Sequence, residues 1–358
     1  MNFAAVRSKV PILAAFGAAL IFMLSIFTRE HTAVQGAIDG LMLCANVIIP
    51  AVFPFMVAAT FIVNCGVADI LRIFAPISRR LFGLPGIAGL PIFTAFISGY
   101  PEGGRAAEEL YSSGELSRRD STRMAYFAVC AGPAFIIKAV GEGMLGSTHA
   151  GILLFAAHLA GAILTGILLN MVTRRKRQPA AINPQNKRER QSLADVFVNS
   201  TASSCKAMIS ICGFITLFSV VIALIESYNP PSAIRLVTPM LLEVTAGTRA
   251  ATAHGSLPLI SAVLAFGGLS VSFQILSFTK KLGLHPLRFL LCRILHAGLS
   301  AAIIIPLERM FPVVQPAFSI GTQPTAQTTA TSAPASIALM VMGIVLVFSL
   351  RTKQTSES

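Results

Sequence analysis

Six ionisable residues stand in stretches that are otherwise apolar: Glu102, Arg105, Lys138 and Glu142 in the first half of the chain, Glu243 and Arg249 in the second. A charged side chain at the centre of a bilayer costs about 2.5–3.5 kcal/mol on insertion scales, so residues kept there face a cavity and have partners. Two kinds of chemistry fit such a set. The charges can bind a polar solute, or they can pair with one another and only hold a bundle together. Glu108 and Glu109 lie further along and read as solvated.

What surrounds these charges favours broken helices. The stretch FISGYPEGGRAAEEL (Phe96–Leu110) places Ser98, Gly99, Tyr100, Pro101, Glu102, Gly103 and Arg105 in one polar, glycine-rich interruption. Gly132–Pro133 and Gly267–Gly268, the latter followed by Ser270, interrupt two further apolar runs. Thr245 and Gly247 interrupt a fourth, between Glu243 and Arg249. Non-helical backbone at membrane depth is tolerated only where protein or a water-filled cavity covers it. A half-helix that starts after such a break points its positive N-terminal end at the site, which suits an anion. Tyr100 can stack on a ring or fill space. His158 and His296 read as hydrogen-bonded interior histidines.

The elements that must position these residues are membrane spans. The chain has 358 residues, 54% hydrophobic and 12% charged, with mean hydropathy +0.73; soluble domains carry about 25% charged residues. Apolar runs at Pro11–Phe27, Gly40–Cys65, Thr122–Leu145, Gly151–Val172, Ser204–Glu226, Leu257–Thr279, Leu287–Pro306 and Ala335–Leu350 read as spans, some of them at the roughly 20 residues a bilayer requires. Pro85–Leu110 and Ala233–Ala253 read as re-entrant hairpins or broken helices. The first span is read as retained, because no small-residue cleavage site follows it. The net charge of +13 does not point to nucleic acid. The basic residues cluster between apolar runs, seven of the 28 in Arg174–Arg190, and if both interrupted segments dip and return, nearly all clusters fall on one side, as the positive-inside rule requires. Gln315–Ser336 reads as an external loop. The six cysteines lie in apolar runs with no ligand spacing, so neither metal nor disulfide is expected.

The two halves repeat. Gly-x-Arg-Ala-Ala occurs in PEGGRAAEEL and in TAGTRAATAH; FAVCAGPAFII matches VLAFGGLSVSF, and AHLAGAIL matches LHAGLSAA, in the same order. With an odd number of spans per copy, the second copy enters from the opposite side, an inverted repeat of the kind found in secondary transporters. The reading is an all-α polytopic membrane protein of about eight transmembrane helices plus two broken or re-entrant hairpins. It divides into an N-terminal helix and loop (1–36), a first repeat (37–172), a basic linker (173–199), a second repeat (200–310), and a loop with a C-terminal helix (311–358).

The segments NVIIPAVFPFMV, RRLFGLPGIAG, ISGYPEGGRAA, CAGPAFIIKAVGEGMLG, LLEVTAGT and FGGLSVSFQ together resemble the YlbJ family of sporulation integral membrane proteins, within the nucleoside-recognition (Gate) group shared with nucleoside transporters and ferrous-iron permeases. The resemblance covers roughly Gly40 to Pro306. Glu102 and Gly104 depart from the family's usual form, a small or apolar residue and then Gly-Ala after SGYP. The resemblance implies a bacterial inner-membrane protein of spore formers, in the cell membrane or a forespore membrane, associated with moving dipicolinate, a planar dianion.

No Walker, HExxH or GxSxG pattern is present, so neither enzyme activity nor a cofactor is expected. The expected solute-binding residues are Ser98, Gly99, Tyr100, Pro101, Glu102, Gly103, Arg105, Gly132, Pro133, Lys138, Glu243, Thr245, Gly247, Arg249, Gly267, Gly268 and Ser270, with Arg105 and Arg249 clasping a dicarboxylate from both ends. Expected partners are a small anionic solute, the lipid bilayer and, as an option, a second copy of the chain. The alternatives are a non-transporting membrane scaffold in spore development and a nucleoside transporter.

Overall fold

The computed structural model describes residues 3–65, 73–173 and 192–313. The expected helix Ala335–Leu350, the loop Gln315–Ser336 and the basic stretch Arg174–Arg190 lie outside the described residues. Within them every regular element is helical.

The first half comprises α1 (Phe3–Thr28), α2 (Glu30–Leu43), α3 (Ile49–Asn64), the short α4 (Phe74–Ile77), α5 (Gly89–Ser98), α6 (Tyr100–Ser112), α7 (Arg118–Phe127), a π-helical segment Ala134–Met144, and α8 (Thr148–Thr173). The second comprises α9 (Leu193–Glu226), α10 (Ser232–Leu242), α11 (Val244–Ala253), α12 (Leu257–Phe266), α13 (Gly268–Phe278) and α14 (Pro286–Met310). Five helices among the described residues are long and apolar enough to cross a membrane: Glu30–Ile62, α8, α9, the α12–α13 pair and α14. Phe74–Phe82 and Gly86–Ser98 form a sixth only if counted together, and they meet at 110°. The chain is a multi-pass membrane protein.

Two expectations are corrected. The loop expected after the first span, within residues 1–36, is mostly helix from Glu30 onward, continuous with the span that follows it. Gly36 and Gly40 explain why: a Cβ on Gly36 would stand 2.8 Å from the Ala223 side chain, and one on Gly40 2.8 Å from the Thr216 Cα, so α2 lies directly against α9. Small residues permit such close approach where lipid supplies no hydrophobic drive. Thr122–Leu145 is likewise not one span. It ends as α7 at Phe127, runs non-helical through Gly132, and resumes as the π-helical segment.

The core lies where the broken elements meet. α5–α6 and α10–α11 pack as helix pairs, and α8 and α14 lie side by side behind them. The two Gly-x-Arg-Ala-Ala copies sit in the same register: α6 begins just after Gly99, α11 just after Glu243, and Gly103 and Gly247 are the matching glycines.

Candidate functional site

Each hairpin tip is made by local sequence. Gly99 has φ 105° and ψ −177°, a conformation that residues with a Cβ avoid. Pro101 follows in the first turn of α6, where its missing N–H costs nothing. At the other tip Glu243 is extended, and its Oε2 accepts the Ala246 N–H at 2.7 Å, closing the N-terminal end of α11. The breaks in the spans also use glycine, with φ 79° at Gly267 and 74° at Gly268.

Tips and breaks are pressed together. A Cβ on Gly132 would stand 2.6 Å from the Ile97 carbonyl oxygen and 3.2 Å from the Gly99 nitrogen. A Cβ on Gly268 would stand 3.0 Å from the Leu242 oxygen and 3.1 Å from the Glu243 nitrogen. In each half, the glycine of the broken span thus seats the hairpin tip of the same half.

Between the tips lies a cavity of about 60 Å³. The starts of α6, α11, α13 and the π-helical segment all contribute to its wall, through Gly99–Pro101, Val244–Thr245, Ser270–Val271 and Ala134–Phe135. Ile48, Val52, Phe55 and Ile215 supply an apolar side. Four buried side-chain oxygens of the lining have no hydrogen-bond partner: Ser98 Oγ, Glu243 Oε1, Thr245 Oγ1 and Ser270 Oγ. An unpaired buried polar group costs about 1–3 kcal/mol, and four around one cavity mark a place where polar groups await a partner.

Of the residues expected from sequence, the fold brings Ser98, Gly99, Tyr100, Pro101, Gly132, Glu243, Thr245 and Ser270 to this cavity. Gly103, Gly247, Gly267 and Gly268 serve close packing beside it, and Pro133 precedes the π-helical segment. The charges other than Glu243 lie elsewhere. Arg105 hydrogen-bonds Ser203 Oγ and stands 3.9 Å from Glu102. Lys138 and Glu142 pair at 2.8 Å with exposures of 64% and 53%. Arg249 is exposed. The expected pair of arginines is not found at this cavity: neither lines it, and both sit more than a turn beyond the tips.

Three contributors were not legible as site residues. Gln274 lines the cavity. Glu108, read as solvated, accepts the Lys281 and Leu282 amides at 3.0 and 2.9 Å. Arg293, 1% exposed, donates Nε–H to the Phe266 carbonyl at 3.1 Å and its other nitrogens to the carbonyls of Ala265 and Val129. It thus satisfies carbonyls at the ends of both broken spans, α7 and α12. Its guanidinium lies 5.9 Å from the Tyr100 ring, whose hydroxyl donates to the Leu264 carbonyl at 2.6 Å. An Arg in the interior of the apolar helix α14, between Arg288 and Arg309 at its ends, was the available signal.

Behind the cavity, Cys130 and the two buried histidines bring ligand-type atoms within 4.8 Å of one another. The Ala131 N–H donates to His158 Nε2 at 2.9 Å, which places that ring's proton on Nδ1 and removes a neutral ligand. The Arg293 guanidinium is within electrostatic reach of both rings and opposes a cation. One nitrogen of each ring is hydrogen-bonded, to the Ala131 amide and the His158 carbonyl, and both Nδ1 atoms are buried without a partner.

No protein-family model and no solved structure matches the chain. Over 340 residues, covering 84% of this chain and 83% of the relative, it is 23% identical to the sporulation integral membrane protein YlbJ of Bacillus subtilis. That similarity spans both halves of the chain and includes the motifs above.

Proposed function

We propose that the protein is a membrane carrier of the nucleoside-recognition (Gate) type that moves a small anionic organic solute during sporulation, with dipicolinate the solute that the family resemblance names. The observation that carries this reading is the convergence of four half-helix starts and four unpaired oxygens on one cavity. Helix N-termini favour anions, hydroxyls of Ser98, Thr245 and Ser270 can donate to carboxylate oxygens, and the apolar wall suits the face of a ring. A scaffold would give no reason to leave such groups unpaired around a cavity.

The cavity volume fits a closed state. An engineered cavity of about 150 Å³ holds benzene, so about 60 Å³ is too small for an aromatic dicarboxylate until the tips part. Two tips of matching register, one in each half, provide what alternating access between inverted repeats requires. The test is uptake of radiolabelled dipicolinate by proteoliposomes holding the purified full chain, beside empty vesicles and labelled uridine. Saturable, protein-dependent uptake of dipicolinate is expected. Uptake of uridine alone would favour the nucleoside reading, and uptake of neither would overturn the carrier reading for both solutes.

A further inference from the structure

The two hairpin tips match in register but not in chemistry. At the α11 tip, Glu243 reaches back with Oε2 to the Ala246 amide, so the helix end carries its own carboxylate. At the α6 tip the matching residue is Gly99, with no side chain to do this. The amide that corresponds to Ala246 N–H is that of Glu102, and it reaches only the Gly99 carbonyl at 3.2 Å. One tip is capped by its own side chain and the other is not, and both face the same cavity.

We propose that a carboxylate of the transported solute occupies the open N-terminal end of α6 at Gly99, standing there as the Glu243 side chain stands at the matching end of α11. The inference rests on the carrier reading for its solute, but not for the open helix end itself. A second observation points to a ligand independently of the helix end. Ser98, 4% exposed, holds an unpartnered Oγ in the cavity wall beside Gly99, and a hydroxyl there can donate to a carboxylate oxygen. The Glu243 side chain closes the opposite side of the cavity, with Thr245 and Ser270 beside it, so the rest of the solute lies against these residues.

The test compares Gly99→Asp with Gly99→Asn in the purified full chain. Both variants carry the same strain at a φ of 105°, and they differ only in charge. Without any solute, the Asp variant is expected to melt higher than the Asn variant by about 2 °C or more, because both side chains can cap α6 but only the Asp charge complements the positive end of its dipole. With benzoate and dipicolinate as probes, the Asn variant should keep measurable affinity in equilibrium dialysis, whereas the Asp variant should lose at least about tenfold relative to it, a loss of the size a charge-assisted hydrogen bond supplies. Equal melting and equal affinity of the two variants would overturn the proposal. If neither variant folds, Ser98→Ala decides: several-fold weaker probe binding at an unchanged melting temperature is expected, and unchanged binding overturns it. Absent uptake together with an Asp-over-Asn melting difference would sink the carrier reading and leave the open cap standing. Uptake without that difference would do the reverse.

Discussion

His296 donates its Nε2–H to the main-chain carbonyl of His158, 2.9 Å away, and the two rings lie 4.7 Å apart. The residues come from matching positions of α8 and α14, helices that lie side by side, and both are fully buried. The contact ties the two halves of the chain together directly behind the cavity.

The first prediction follows from this contact. His296→Gln keeps a donor for the His158 carbonyl and should unfold within about 1 kcal/mol of the parent, whereas His296→Ala leaves a void and an unpaired carbonyl and should lose about 2–4 kcal/mol. Because the pair is hydrogen-bonded and faces Arg293, neither EDTA nor added zinc should move the melting temperature. Denaturant unfolding in detergent measures the first, a thermal scan the second. Stabilisation by zinc of several degrees, lost in both histidine variants, would contradict the hydrogen-bonded reading.

Arg293 gives the second prediction. It satisfies carbonyls from two different breaks with one planar fork. Arg293→Leu would orphan three buried acceptors, each worth about 1–3 kcal/mol, and should abolish monodisperse protein in size-exclusion chromatography. Arg293→Lys supplies a point charge that cannot span the set and should fold with a clearly lowered melting temperature. Parent-like stability of the Leu variant would show that the carbonyls are satisfied in another way.

These residues also show what the sequence could and could not reveal. The membrane class was legible because apolar runs long enough to span leave few alternatives. The breaks were legible because Gly99, Pro101, Gly132 and Gly267 are residues that interrupt helices for local reasons. The misreading of Arg105 and Arg249 has a different origin. The Gly-x-Arg-Ala-Ala pattern fixes register along a helix, and that register was right, but which face a side chain takes depends on packing partners distant in sequence. Arg105 turns to Ser203 on α9, and nothing near it in the chain signals this. Arg293 was missed for the same reason, since its partners Val129 and Ala265 meet it only in the fold.

Close-packed glycines in and against the hairpins supply a third prediction. Gly132→Ala places a methyl 2.6 Å from the Ile97 oxygen, and Gly247→Ala places one 2.6 Å from the Met240 Cα. Backbone cannot yield as a flexible side chain would, so each should cost about 1–3 kcal/mol or more. Gly213→Ala on α9 meets nothing within 4 Å and should be neutral or stabilising by up to about 1 kcal/mol through helix propensity. Chemical unfolding of the three variants side by side checks the ordering. A Gly132→Ala protein as stable as Gly213→Ala would mean that the tip and the break are not in contact.

The last prediction concerns the turn between α13 and α14. Glu108 on α6 accepts the amides of Lys281 and Leu282, and Arg118 at the start of α7 donates its Nε–H to the Leu282 carbonyl at 2.9 Å. Two oppositely charged side chains of the first half thus grip the two faces of one turn of the second. The site is partly exposed, so each contact is worth less than a buried one, and Glu108→Ala alone should cost about 1 kcal/mol. Its clearer signature is local: amide exchange at Lys281 and Leu282 should speed up by about tenfold while exchange in α12 stays unchanged. Arg118→Ala should release the same turn from its other side. Since both contacts order one segment, the double variant should lose less than the sum of the singles, with a coupling of about 0.5 kcal/mol or more. Strict additivity, together with unchanged exchange at residues 280–283, would show that the turn holds itself and that the two halves are joined elsewhere.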